Sequence, residues 1–265
     1  MSPRLQPLAR ADLASVRAVF TDVDGTLTTG GRLAASTLAA LERLQAAGVP
    51  VVLVTGRPAG WAECWARQWP VAGVVAENGG LHLAFRGGRL RRVYAEGPLV
   101  RARNRAALRR QVAAALRAVP GARLSSDSAA TEVDLAIDFA EDARLGLDAA
   151  EALAAFLRAR GVRAVRSSVH VNCWRGRFDK LSGVRRFLRT EWKAALSERD
   201  PRYVYVGDSL NDAPLFRAFP LSVGVANVRE VLDQLEALPA FVTRAPEGRG
   251  FVEVARAVLR AREAR

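Results

Sequence analysis

Two short acidic segments carry the residue types best suited to chemistry, Asp22-Val23-Asp24-Gly25-Thr26 and Gly207-Asp208-Ser209-Leu210-Asn211-Asp212. Between them lie Thr55-Gly56-Arg57 and Lys180. Four carboxylates brought together repel one another and resist burial unless a cation neutralises them. An all-oxygen donor set favours a hard divalent ion, so Mg²⁺ is the expected cofactor. Mg²⁺ beside a free carboxylate suits phosphoryl transfer. Asp22 is the candidate nucleophile, attacking phosphorus to form an aspartyl-phosphate that water later hydrolyses. Asp24 lies two residues on, and in an extended segment it shares Asp22's face. The turn at Gly25 can re-aim Asp24 toward the leaving oxygen, as proton donor and later as base to water. Asp208 is the expected carboxylate metal ligand from the second segment, with Asn211 and Asp212 orienting it or bound water. Thr55 offers a hydroxyl and Gly56 an unobstructed N–H to phosphoryl oxygens. Lys180 supplies a compact positive charge for the phosphate and Asp22.

These residues need a scaffold that gathers them. Ala18-Val19-Phe20-Thr21 precedes the first acidic segment and Tyr203-Val204-Tyr205-Val206 the second. Such apolar runs read as buried parallel strands, and open α/β sheets place ligands just past strand C-terminal ends. Val51–Val54 and Val71–Ala76 give further strands, with helical patterns over 38–48 and 58–69 between them. Strands alternating with helices predict a doubly wound parallel sheet. From Leu81 the pattern changes. Leu81–Phe85 and Leu90–Tyr94 flank Arg86-Gly87-Gly88-Arg89 as a hairpin, a long helix runs from Pro98 to about Ala118, and strands are expected over 131–139 and 162–174 around a helix at 147–160. This order suggests an α+β module inserted at 82–178 into an α/β core of residues 1–81 and 179–265. Strand 162–174 would put Ser168, His170, Asn172 and Trp174 on one face, three polar groups for a hydroxyl-rich ligand and a ring to stack on a sugar. The α/β rhythm resumes with a helix from Lys180 to about Lys193, strands at 202–207, 221–225 and 241–243, and helices after each.

Each piece alone is a weak signal. Asp-x-Asp commonly caps or turns a chain, and an EF-hand reading of Asp22 onward fails because Leu27 and Leu33 stand where glycine and the bidentate glutamate belong. In order and in context, however, Asp-Val-Asp-Gly-Thr, Thr55, Lys180 and Gly-Asp-x-x-Asn-Asp resemble the haloacid dehalogenase-like phosphatases. The insert, with Glu77-Asn78-Gly79 before it, is similar to their type IIB subgroup, which includes Cof-like, sucrose and mannosyl-phosphoglycerate phosphatases. The resemblance covers essentially the whole chain. It implies a Rossmannoid core with a type C2B cap, hydrolysis of a sugar or polyol phosphate, and Mg²⁺ held by Asp22, Asp208 and the backbone carbonyl of Asp24. A phosphomutase or phosphotransferase would use the same catalytic residues.

Composition narrows the remaining classes. Of 40 basic residues all but Lys180 and Lys193 are arginine, giving a net charge of +13. That charge admits a nucleic-acid-binding alternative, but the arginines are dispersed without interleaved aromatics, so no nucleic-acid partner is expected. Two cysteines and two histidines give no zinc spacing and no disulfide framework. No membrane span or secretory signal is read, so a cytoplasmic protein acting on a small phosphorylated substrate is expected. Oligomeric state is not legible.

Overall fold

The computed structural model describes residues 5–167, 169–197 and 200–264. In chain order it contains β1 (Gln6–Pro7), β2 (Ala18–Thr21), β3 (Thr28–Thr29), β4 (Arg32–Leu33), α1 (Ala35–Ala46), β5 (Val51–Val54), α2 (Ala59–Gln68), β6 (Gly73–Ala76), β7 (Leu81–Arg86) and β8 (Arg89–Tyr94). There follow α3 (Pro98–Ala118), β9 (Arg123–Leu124), β10 (Leu135–Asp138), α4 (Leu147–Arg158), β11 (Arg163–Arg166) and β12 (His170–Trp174). The chain closes with α5 (Lys180–Glu191), β13 (Tyr203–Gly207), α6 (Ala213–Ala218), β14 (Leu221–Gly224), β15 (Phe241–Val242) and α7 (Glu247–Glu263).

Nine strands form one sheet in the order β1-β15-β14-β13-β2-β5-β6-β7-β8, all pairings parallel except β6–β7 and β7–β8, so that β7 alone runs reversed. The central strands are buried on both faces because their successive side chains serve two different cores. Val19, Leu53, Val74 and Val204 pack with α1, α2 and α7, whereas Phe20, Val52, Val75 and Tyr205 pack with α5 and α6. Register then fixes the site. Thr21 stands opposite Val206 on one side and Leu53 on the other, so Asp22, Gly207-Asp208 and Val54-Thr55 emerge together at neighbouring strand ends.

A second, antiparallel sheet in the order β11-β12-β10-β9 packs α3 and α4 on one face through Leu108, Val112, Ile137, Leu153, Leu157 and Val171. Its other face covers the strand ends of the large sheet as a cap. Three expectations are corrected. The hairpin β7–β8, read as part of the insert, extends the core sheet instead: Leu81 and Leu83 are fully buried against β6, so the inserted module begins at α3. Residues 162–174 are two antiparallel strands instead of one, because the backbone of Ser167 and its hydroxyl both hydrogen-bond His170 and close a tight turn. Residues 226–234 form short 3-10 turns where a helix was expected. There Asn227 is pinned at both ends, donating to Asp208 and accepting from the Glu247 N–H.

Candidate active site

Asp22 leaves β2 with its N–H donating to the Val206 carbonyl at 2.8 Å, so the sheet itself fixes the start of the acidic loop. Gly25 follows at φ +71°, and a Cβ there would lie 2.5 Å from Asp208 Oδ2. Only glycine allows the loop this close to the second carboxylate. Asp208 is held from two sides, Thr26 Oγ1 donating to Oδ1 at 2.8 Å and Asn227 Nδ2 to Oδ2 at 3.0 Å. Asn227 also donates to the Gly25 carbonyl at 3.1 Å, tying both acidic loops together.

Lys180 is the first residue of α5, whose start is built by a capping box: the Ser182 N–H donates to Asp179 Oδ1 at 2.7 Å and the Asp179 N–H to Ser182 Oγ at 2.9 Å. The side chain runs back under the acidic loops, with Nζ 3.1 Å from Asp22 Oδ1, 2.8 Å from Asp212 Oδ1 and 3.1 Å from Asn211 Oδ1. Asp212 is saturated. Its Oδ1 accepts from Lys180 and from Tyr205 OH at 2.5 Å, and its Oδ2 from the N–H groups of Asp208 and Ser209.

Asp22, Asp208 and Asp212 each present an oxygen within 4.8 Å of the others, all buried. Among the described residues Lys180 is the one cation paired with this cluster, through Asp22 and Asp212. Burial therefore pushes Asp22 up to about 7 in spite of the lysine, with Asp212 and Asp24 adding to the rise. Burial, then Asp22 and Asp212, hold Asp208 well above the usual carboxylate range. Burial would lower Lys180, but Asp212 and Asp22 outweigh it and hold the ammonium charged. Such a cluster is short of positive charge, and its donors are oxygens. It fits a hard divalent cation held by Asp22 and Asp208, with Asp212 fixing the lysine and the Asp208 loop.

Asp24 is turned away from this cluster. Its carboxylate is gripped by Arg57, whose Nε lies 3.0 and 3.1 Å from the two oxygens and whose Nη2 lies 3.0 Å from Oδ1. The same guanidinium reaches the cap, at 3.4 Å from Asp127 and 2.9 Å from Glu141. Thr55 is fully buried, and its Oγ1 accepts the Arg57 N–H at 2.9 Å. Gly56 sits beneath the cap, where a Cβ would meet Asn172 Nδ2 at 3.1 Å and Asn78 Oδ1 at 3.2 Å.

The cap therefore reaches the strand ends. A cavity of about 30 Å³ is enclosed between Asp22, Asp24, Gly56 and Asn211 on the core side and Asp134, His170 and Asn172 on the cap side. A cleft of about 720 Å³ shares Asp24 and Arg57 with it and runs out past Glu141 and Arg166. Of the cap residues read from sequence, His170 and Asn172 reach the cavity and Ser168 lies outside the described residues. Trp174 is placed elsewhere. Its ring stacks on Phe178 and its indole N–H donates to the Phe178 carbonyl at 2.9 Å, at the junction of cap and core.

Sequence reasoning missed Arg57 and Asn227, whereas Glu77-Asn78 stands at the core-to-cap crossing and shapes it. Glu77 is fully buried at φ +48°, and its carboxylate accepts four backbone N–H groups, from Ala59, Glu132, Val133 and Asp134, at 2.6–2.9 Å. It thereby pins the cap's entry into β10 to the start of α2.

Residues 19–89 match the haloacid dehalogenase-like hydrolase family. No curated protein matches the chain by sequence. Among solved structures, a Thermoplasma acidophilum protein superposes with a TM-score of 0.70 at 16% identity, over 92% of this chain and 98% of its own. The C-terminal domain of the C. albicans trehalose-6-phosphate phosphatase gives 0.70 at 15% identity, over 96% and 98%. The Synechocystis sucrose-phosphatase, solved with sucrose and phosphate, gives 0.63 at 16% identity, over 92% and 98%. At these identities the likeness is one of fold, and it extends over core and cap alike. The first acidic loop lies inside the segment that matches this family, and the fold of core and cap is shared with these structures.

Proposed function

We propose that the protein is a Mg²⁺-dependent phosphatase that hydrolyses a small sugar or polyol phosphate through an aspartyl-phosphate on Asp22. The observation that carries this reading is the buried meeting of Asp22 and Asp208 beside Lys180, with Asp24 held close by Arg57 under a cap. Sugar phosphatases among the fold relatives support the substrate class.

Asp22 attacks phosphorus while the bond to the leaving oxygen breaks, and Asp24 gives that oxygen a proton. Asp24 then takes a proton from water, which attacks the same phosphorus and frees Asp22 and inorganic phosphate. Bound Mg²⁺ would supply charge neutralisation between the carboxylate and the phosphoryl oxygens. Lys180 holds Asp22 in place and adds positive charge, and the Thr55 hydroxyl and the Gly56 N–H would receive phosphoryl oxygens. Arg57 orients Asp24. The cap excludes bulk water during the first transfer.

The test is phosphate release from p-nitrophenyl phosphate with Mg²⁺, with EDTA, and in Asp22→Asn. Turnover that needs Mg²⁺ and is lost in the variant, with its melting behaviour kept, is expected. Full activity of Asp22→Asn refutes the nucleophile.

A further inference from the structure

We propose that the protein carries a second anion site, separate from Asp22, in a cleft along α7 that takes a small ligand bearing several linked phosphates. The cleft, of about 660 Å³, lies at the β1 edge of the core sheet, between α7 and the start of α1. It shares no lining residue with the catalytic cavity or with the larger cleft that opens from it. Four arginines line it, Arg244 from the loop before α7 and Arg249, Arg256 and Arg260 from the helix itself. Spacings of seven and four put the three helical arginines on one face, a row of roughly 16 Å at the helical rise. None of the four makes a side-chain hydrogen bond or ion pair among the described residues.

Glu253 is the one acid in the wall, and it does not neutralise them. It stands four residues from Arg249 and three from Arg256, the spacings at which helical ion pairs form. Its Oε2 instead accepts the backbone N–H groups of Arg244 and Ala245, at 2.9 and 3.3 Å. The carboxylate thus closes the turn into α7 and leaves the guanidinia without a partner. Arginine is frequent in this chain, but other concave surfaces pair it. Arg57 meets Asp24, Asp127 and Glu141 in the catalytic cavity, and beside β11 Arg158 meets Glu151 and Arg163 meets Asp179. Four unpaired guanidinia around one concavity focus a positive field and offer many donors to phosphoryl oxygens.

Shape and lining choose among anions. A single phosphate gathers its oxygens in one place, whereas the guanidinia are spread along the helix, so linked phosphates match the row. No aromatic ring lines the cleft, so bases of a nucleic acid would find nothing to stack on. The volume is that of a small-molecule site. Ser36, in the first turn of α1, completes the wall. That helix end has no side-chain cap and no acidic residue, so its positive pole adds to the same field.

Calorimetric titration with sodium tripolyphosphate in EDTA tests the site without the catalytic metal. The wild-type chain is expected to bind it, and orthophosphate at least about tenfold more weakly, because linking the phosphates raises their effective concentration. Arg256→Ala/Arg260→Ala, at exposed positions that spare folding, should weaken tripolyphosphate by about tenfold or more through lost charge-assisted hydrogen bonds. Arg103→Ala/Arg110→Ala removes the same charge from the exposed surface of α3 and should leave affinity within about twofold, since distant exposed charges are screened. No tripolyphosphate binding by the wild-type chain, equal losses in the two double variants, or equal affinity for orthophosphate overturns the proposal. So does a fluorescein-labelled oligothymidylate that binds more tightly than tripolyphosphate and is lost in Arg256→Ala/Arg260→Ala, which would make the cleft a nucleic-acid surface. Turnover of p-nitrophenyl phosphate by the same variant, expected to be kept, reads the catalytic site separately, so either reading can fail without the other.

Discussion

Lys180→Met keeps the length of the side chain and removes its charge. The ammonium is 2% exposed and lies 3.1 Å from Asp22 and 2.8 Å from Asp212, so nothing in solvent replaces it. Breaking a buried pair of this kind costs ~3–5 kcal/mol, out of a total stability of about 5–15 kcal/mol. The cost has a pH signature. Asp22 titrates near 7 in the folded protein against 3.8 when unfolded, so its contribution is fully present below 3.8 and is lost as pH rises to about 7. Beyond that the wild-type curve flattens on this account. In Lys180→Met the Asp22 value rises further, and the loss continues above pH 7 at ~1.4 kcal/mol per pH unit. Urea unfolding in EDTA at pH 5.5, 7 and 8.5 measures both quantities. The gap between variant and wild type should be several kcal/mol and should widen from pH 7 to 8.5. A variant within about 1 kcal/mol of wild type at every pH would refute the reasoning, because a cost that small belongs to an exposed pair.

Three other outcomes follow from the same geometry. Mg²⁺ should raise the melting temperature more at pH 8 than at pH 5.5 and release protons on binding, since Asp22 and Asp208 must ionise; titration calorimetry in buffers of different ionisation enthalpy reads the proton count, and a count of zero at pH 6 contradicts it. Glu77→Ala strands four buried N–H groups and should cost ~3 kcal/mol or more by urea unfolding, with Glu77→Gln in between; a loss under about 1 kcal/mol would mean the crossing is held by something else. Arg57→Ala releases Asp24 from the core and Asp127 and Glu141 from the cap, so kcat for p-nitrophenyl phosphate should fall about 100-fold and hydrogen exchange rise over 125–141; unchanged exchange there removes Arg57 as the link.

The core of the site was legible because its determinants are local. Each acidic loop follows a run of apolar residues that can only be a buried strand, and parallel register then delivers the loops to one edge. What escaped was set by contacts across the chain. Arg57 stands beside Thr55 in a sequence where arginine fills nearly every basic position, and only the fold reveals its bond to Asp24, 33 residues away. Asp127, Asp134 and Glu141 sit in loops and strand ends whose local pattern is that of ordinary solvated residues. The β7–β8 hairpin reads the same whether it belongs to core or cap, since a turn specifies pairing and not the sheet that receives it. Alternation through 162–174 placed His170 and Asn172 on one face correctly, but it carried Trp174 along without showing that the strand's far end runs past the cavity to Phe178.

The central claim is that Asp22 itself takes up phosphorus. Turnover of p-nitrophenyl phosphate with Mg²⁺, quenched and treated with borohydride, converts an aspartyl-phosphate to homoserine, which peptide mass spectrometry locates. Homoserine at position 22, appearing only with both substrate and Mg²⁺, is the predicted result. An unmodified Asp22 during active turnover, or the label at Asp24 or Asp208 instead, would contradict it.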